Sequence, residues 1–102
     1  LLPRSVEESR RIARRILGPL LDYDKRHDGE LLTSVRVFLT NDGSWQRTAA
    51  ELGIHRQTLV YRLRRAEELT GLKPTSTEGA TQLWLALCGA DRANLKLDDL
   101  AT

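Results

Sequence analysis

The chain of 102 residues carries 16 Lys and Arg against 14 Asp and Glu, so its net charge of +2 does not by itself indicate a nucleic-acid partner. Its length fits one domain, and 40% hydrophobic with 29% charged residues is typical of a globular protein. A single Cys excludes an internal disulfide and favours a reducing, cytoplasmic setting, and no apolar run approaches the roughly 20 residues of a membrane span.

Residues 1–27 are predicted to form an N-terminal helical connector. Ser5 and Glu8 make a capping-box signature that opens a helix running to about Leu17. Gly18 and Pro19 then predict a break, after which a short second helix ends in a polar turn. A row of arginines is predicted to be a solvated face, with a second phosphate-contacting surface as the alternative; its members are Arg10, Arg11, Arg14 and Arg15.

Residues 28–90 are predicted to form the compact unit and residues 91–102 a C-terminal tail. Asp28 is expected to cap a helix with a core-facing apolar stripe, namely Leu31, Leu32, Val35, Phe38 and Leu39. A later helix has a second apolar face that is expected to bury Trp84 as a core anchor and Cys88 as a small apolar residue. In the tail, a packed turn or partner contact and simple fraying stay equally open for Leu95, Leu97 and Leu100.

The pattern of residues 44–71 predicts a short helix and a longer second helix, joined by a tight turn. Ser44 suits the N-cap of the first helix, and Gly53 suits a turn that needs positive φ. The second helix covers about residues 55–70 and ends at Gly71. Its apolar positions repeat at helical spacing, which predicts a buried face made of Leu59, Leu63, Ala66 and Thr70. The fold class is therefore all-α, a helix-turn-helix bundle of about five or six helices.

The outward side of this second helix is basic and polar. Residues 55–65 hold four arginines and no acid, and a helical wheel turns Gln57, Tyr61 and Arg64 away from the apolar face. A helix of this kind fits the major groove of double-stranded DNA, where its first residues contact base edges.

Several stretches carry a family resemblance. The segment GIHRQTLVYRLRR resembles the C-terminal helix-turn-helix of the PucR/CdaR family of bacterial transcription regulators, and its turn and second helix are similar to the Fis-type motif. Blocks similar to that family also occur, in its order, as LGPLLDYDKRH, ELLTSVRVFL and QLWLAL. The resemblance implies the DNA-binding output end of a longer regulator with an upstream sensory part. The absence of any methionine, including at position 1, fits a fragment of that kind.

Residue roles follow from the wheel and from the resemblance. The resemblance supports base-edge contacts by Arg56 and Thr58, and the wheel supports Gln57; Tyr61 joins this set, although a Fis-type motif often has a long cationic residue there. The predicted phosphate contacts are Ser44, Arg47, His55, Arg62, Arg64 and Arg65. The alternative for any one of these arginines is an ordinary surface charge.

Catalysis and protein binding are the two alternative classes of function. Catalysis is disfavoured because Ser44, His55 and Cys88 belong to no catalytic motif, and no spacing of His, Cys or acidic residues predicts a metal or cofactor. A helical protein–protein interaction or dimerisation module without direct DNA binding is the stronger alternative. Since one recognition helix covers only a few base pairs, a homodimer is expected.

Overall fold

The computed structural model describes residues 5–92 and places them in five α-helices, with no strand in that range. The helices are α1 (Val6–His27), α2 (Leu31–Thr40), α3 (Trp45–Leu52), α4 (Arg56–Thr70) and α5 (Thr77–Arg92). The predicted all-α helix-turn-helix bundle is thereby confirmed. The three tail leucines lie outside the described residues, and so does most of the predicted tail.

One core is shared by four of the helices. α1 packs mainly against α5 and also touches α2 and α4, while α3 rests on α2 and α4. The buried leucines come from every side of this arrangement and include Leu17, Leu20, Leu31, Leu59, Leu63, Leu83 and Leu87. The predicted stripe of α2 is confirmed, because four of its five residues are buried and Leu39 packs against the same core. Among residues 5–92, no helix is long and apolar enough to span a bilayer.

The predicted break at Gly18 and Pro19 is wrong, because α1 continues through both residues from Val6 to His27. A proline inside a helix costs about 3 kcal/mol. Leu17, Leu20 and Leu21 flank it on one buried face, and burying each of them stabilises the fold by about 1.5–3 kcal/mol. Packing of a continuous face therefore outweighs the proline. The division of the chain into a connector, a DNA-binding unit and a tail stays a prediction.

The start of α2 also differs from the prediction, since Asp28 does not cap it. Asp28 ends α1 in the left-handed conformation, at φ 50°. The cap of α2 comes instead from Asp24, whose two carboxylate oxygens accept the N–H groups of Leu31 and Leu32 at 2.9 and 3.1 Å. The tight turn after α1 brings Asp24 back over the free N–H groups of α2 and ties the two helices together.

The buried face of α5 lies further round the helix than predicted. Trp84 is 42% exposed and Cys88 is exposed, so neither is the core residue that was expected. The inward side holds Leu83 and Leu87 together with small residues, Ala86 and Ala90. Small residues let the α5 backbone approach its neighbours closely, which turns the bulky indole outward. The helix is capped by Ser76, whose hydroxyl accepts from Gly79 N at 3.0 Å.

Candidate nucleic-acid interface

The turn between α3 and α4 is fixed by local chemistry. Ser44 caps α3 as predicted, its hydroxyl accepting from Arg47 N at 3.1 Å. Gly53 then adopts φ 67°, and Ile54 N donates to Ala49 O at 3.0 Å. A Cβ on Gly53 would meet nothing within 4 Å, so the left-handed backbone and not lack of space requires glycine here. The turn sets the direction in which α4 leaves α3.

The inner face of α4 anchors it to the rest of the bundle. Leu59, Leu63 and Ala66 are buried, as the sequence predicted, and Thr70 is half-buried. These contacts leave the opposite face in solvent. The predicted base-edge residues Arg56, Gln57, Thr58 and Tyr61 are all exposed on the first two turns. His55, at the N-cap, and Arg64, in the third turn, are exposed as well. His55 occupies the N-cap position without a side-chain capping bond, so free N–H groups of the first turn stay open to solvent.

The α3 side of this surface positions Arg56. Its guanidinium lies over the Trp45 ring, 5.0 Å from the ring centroid. Trp45 in turn packs edge-on against Phe38, with 5.1 Å between centroids, and is partly buried against the core. Nearby, Arg47 is exposed and donates from Nη2 to Asn41 O at 3.2 Å. Ser44 and Arg47 thus lie at the start of α3, on the same flank as Arg56.

The predicted phosphate arginines of α4 do not share one environment. Arg62 turns toward α2, where Nη1 donates to Ser34 Oγ at 3.1 Å and Nη2 lies 4.0 Å from the Glu30 carboxylate. Its side chain is only 18% exposed. Arg65 pairs with Glu68 at 2.7 Å, whereas Arg64 is exposed. The structure therefore brings Arg64 to the open face but engages Arg62 within the protein.

One contact near this face was missed by the sequence. The Tyr23 and Tyr61 hydroxyls lie 3.1 Å apart and share a hydrogen bond between α1 and α4. The Arg65 guanidinium stacks over the Tyr23 ring at 5.2 Å, and the His27 ring packs on the same tyrosine at 4.4 Å. Tyr23 is partly buried and packs against the edge of the core. Nothing local in the sequence signals a pairing across 38 positions.

We expect Tyr23→Phe to lower the pKa of Tyr61. The hydrogen bond with Tyr23 is the main reason that the pKa of Tyr61 lies above its ordinary value. A pKa raised by folding means that this contribution to stability is present at neutral pH and is lost as the pH rises through the folded-state value. The chain has two tyrosines, so the absorbance of tyrosinate in the variant reports Tyr61 alone. A pKa of Tyr61 that is as high in the variant as in the parent chain would contradict the hydrogen bond.

Comparison with known proteins places the chain in a family. The sequence profile of the PucR C-terminal helix-turn-helix domain matches residues 31–88, which run from the start of α2 into α5. The chain belongs to the PucR C-terminal helix-turn-helix family. The expected resemblance to PucR-type regulators is thereby confirmed.

Similar proteins carry regulatory names. The chain is 44% identical over 86 residues to the transcriptional activator PmfR of Paenarthrobacter nicotinovorans, covering 84% of this chain and 18% of that protein. It is 34% identical over 87 residues to the purine catabolism regulatory protein of Bacillus subtilis, covering 85% and 16%. A crystal structure of a regulator of polyketide synthase expression from Bifidobacterium adolescentis superposes with a TM-score of 0.73 at 29% identity, covering 84% and 35%. The chain thus spans a minor part of each of these proteins.

Proposed function

We propose that this PucR-type domain binds duplex DNA in a sequence-specific manner, with α4 in the major groove, as the output domain of a bacterial transcription regulator. The exposed, acid-free first two turns of α4 carry the proposal. They combine guanidinium, amide and hydroxyl groups with free backbone N–H groups, which are the donors that base edges and phosphates accept. The regulatory names of the relatives support the same assignment.

In this proposal Arg56, Gln57, Thr58 and Tyr61 contact base edges or groups near them. Phosphates are held by Ser44 at the N-cap of α3 and by the exposed residues Arg47, His55 and Arg64. Arg65 supports the DNA-binding surface by stacking on Tyr23. Arg62 supports the same surface by holding α4 against α2, through its hydrogen bond to Ser34 and its ion pair with Glu30. The proposal assigns the chain no catalysis and no cofactor.

The wider setting is also proposed. A homodimer would place two α4 helices roughly 34 Å apart on one face of the duplex, so that two half-sites are bound together. The relatives are much longer than the matched segment, which supports a sensory part elsewhere in the same polypeptide. A regulator that works on chromosomal DNA belongs in the cytoplasm.

The test is duplex DNA binding measured by fluorescence anisotropy across a range of salt concentrations. We expect the logarithm of the affinity to fall linearly with the logarithm of the salt concentration. The double variant Arg47→Ala, Arg64→Ala should reduce the steepness of that line by about 1.8, at about 0.9 for each lost phosphate contact. Absence of binding at low salt, by both the free chain and a covalently tethered dimer, would refute the proposal.

The exposed side of α5 favours a second candidate function, self-association without direct DNA binding. Trp84 is 42% exposed there, and Cys88 lies one turn further along the same side. Large aromatic side chains are enriched at protein interfaces. Under this alternative the chain forms a dimer and does not bind duplex DNA. Sedimentation would then show that Trp84→Ser disrupts the dimer.

A further inference from the structure

The exposed face of α4 is bordered on two opposite sides by other helices. On one side, Trp45 of α3 lies under Arg56. On the other, Tyr23 of α1 contacts Tyr61 and Arg65. Arg56 and Arg65 are nine residues apart, about two and a half helical turns, so they project from opposite sides of α4. The end of α1 therefore occupies the flank that α3 leaves open.

A helix in the major groove has a phosphate backbone on each side, because the groove is only about 12 Å wide. The α3 flank offers Ser44 and Arg47 to one backbone. The second backbone then runs past the end of α1, where the last turn carries Lys25, Arg26 and His27. Basic residues in the last turn also stabilise a helix end, which is their ordinary structural role. Salt dependence of DNA binding separates the two roles.

Arg26 is an exposed cation of this last turn. Asp24 is occupied by the N–H groups of α2, to which both its oxygens are bonded. The His27 ring is packed on Tyr23 and belongs to the aromatic contact that joins this turn to α4. Arg26 is exposed, next to that contact, and the exposed acid Asp28 follows two residues later. A guanidinium at such a place can reach a phosphate while its helix stays fixed to α4.

We propose that the last turn of α1 is a second DNA-backbone contact, with Arg26 binding a phosphate on the side of α4 away from α3. Tyr23 is the positioning residue, since it joins this turn to Tyr61 and Arg65. The inference rests on the proposed function and adds to it a contact from outside the helix-turn-helix. It also makes α1 part of the DNA-binding surface.

The test compares Arg26→Ala with Arg11→Ala in duplex binding by the whole chain across a salt series. Arg11 is an exposed arginine of the same helix, about 22 Å away along its axis. For Arg26→Ala we expect the salt dependence to become shallower by about 0.9 and the affinity at about 0.1 M salt to fall about eightfold. Arg11→Ala should leave both quantities unchanged. Arg26→Gln, which keeps a long polar side chain but no charge, should behave like Arg26→Ala.

The outcomes separate the two proposals. If the parent chain binds duplex DNA with a steep salt dependence but Arg26→Ala matches Arg11→Ala, the α1 contact is refuted and the proposed function stands. If the parent chain and a tethered dimer bind no duplex, both proposals fall. Thermal unfolding of each variant shows whether a loss of binding reflects a loss of fold, and the neutral Arg26→Gln variant repeats the measurement if Arg26→Ala unfolds.

Discussion

Arg56→Ala should weaken binding to a preferred duplex site by about 1–3 kcal/mol, which is about 5- to 150-fold. Arg56 is the first residue of α4 and is exposed, so a helix entering the major groove brings it close to base edges. Its guanidinium is already placed over Trp45 at 5.0 Å. A side chain that is ordered before binding loses less conformational entropy in the complex, which increases its contribution to affinity.

The measurement uses a duplex selected from a random pool and an unselected duplex of equal length. If Arg56 contacts a base, the loss is larger on the selected duplex, because a phosphate contact weakens both alike. Arg56→Lys keeps the charge but loses bidentate pairing, so it should recover affinity for the unselected duplex only. An equal loss on both duplexes would remove Arg56 from the base-contacting set, and no loss on either would remove it from the interface.

Gly79→Ala should lower the free energy of unfolding by about 3 kcal/mol, the upper end of the range for overpacking. A Cβ on Gly79 would lie 2.6 Å from Lys73 N and 2.8 Å from its carbonyl carbon, and it would also overlap Lys73 O. These are backbone atoms of the loop before α5 and cannot swing aside as a side-chain end would. The start of α5 and that loop would have to separate, which would disturb the Ser76 cap.

Gly89→Ala is the matched control, since the glycine lies in the same helix. A Cβ there would meet Ser9 Cβ and Ser9 O at 3.7 Å, which is ordinary van der Waals contact. We expect this variant to be more stable than the parent by about 0.5–1 kcal/mol, because alanine has a higher helix propensity than glycine. Urea unfolding of both variants decides the matter. Equal stability of the two would contradict the close approach of α5 to Lys73.

The local and periodic features of the fold could be predicted from the sequence. Leu59, Leu63 and Ala66 recur at helical spacing, and that spacing identifies the buried face of α4 whatever it packs against. Ser44 and Gly53 act on the backbone within a few residues, so their roles as cap and turn follow from their own chemistry. The helical wheel also correctly predicts that Gln57 and Arg64 are exposed.

The other features of the site could not be predicted from the sequence, because they depend on which helices pack against each other. Arg62 and Arg64 look alike in the sequence, but α2 lies beside the first and engages its charge through Ser34 and Glu30. Trp84 belongs to an apolar stripe, yet α5 turns its smaller residues to the core. The Tyr23–Tyr61 bond joins helices that are far apart in the chain. Such contacts follow from tertiary packing, and a helical wheel of one segment contains no information about it.

Amide chemical-shift changes on titrating the isotope-labelled chain with a selected duplex test the central claim most directly, because they locate the DNA on the surface. We expect the largest changes at residues 55–64 on α4, with further changes at Ser44, Arg47 and the end of α1 near Arg26. Changes that centre on Trp84 and Cys88 of α5, with α4 unaffected, would contradict it and would make the exposed side of α5 the binding surface.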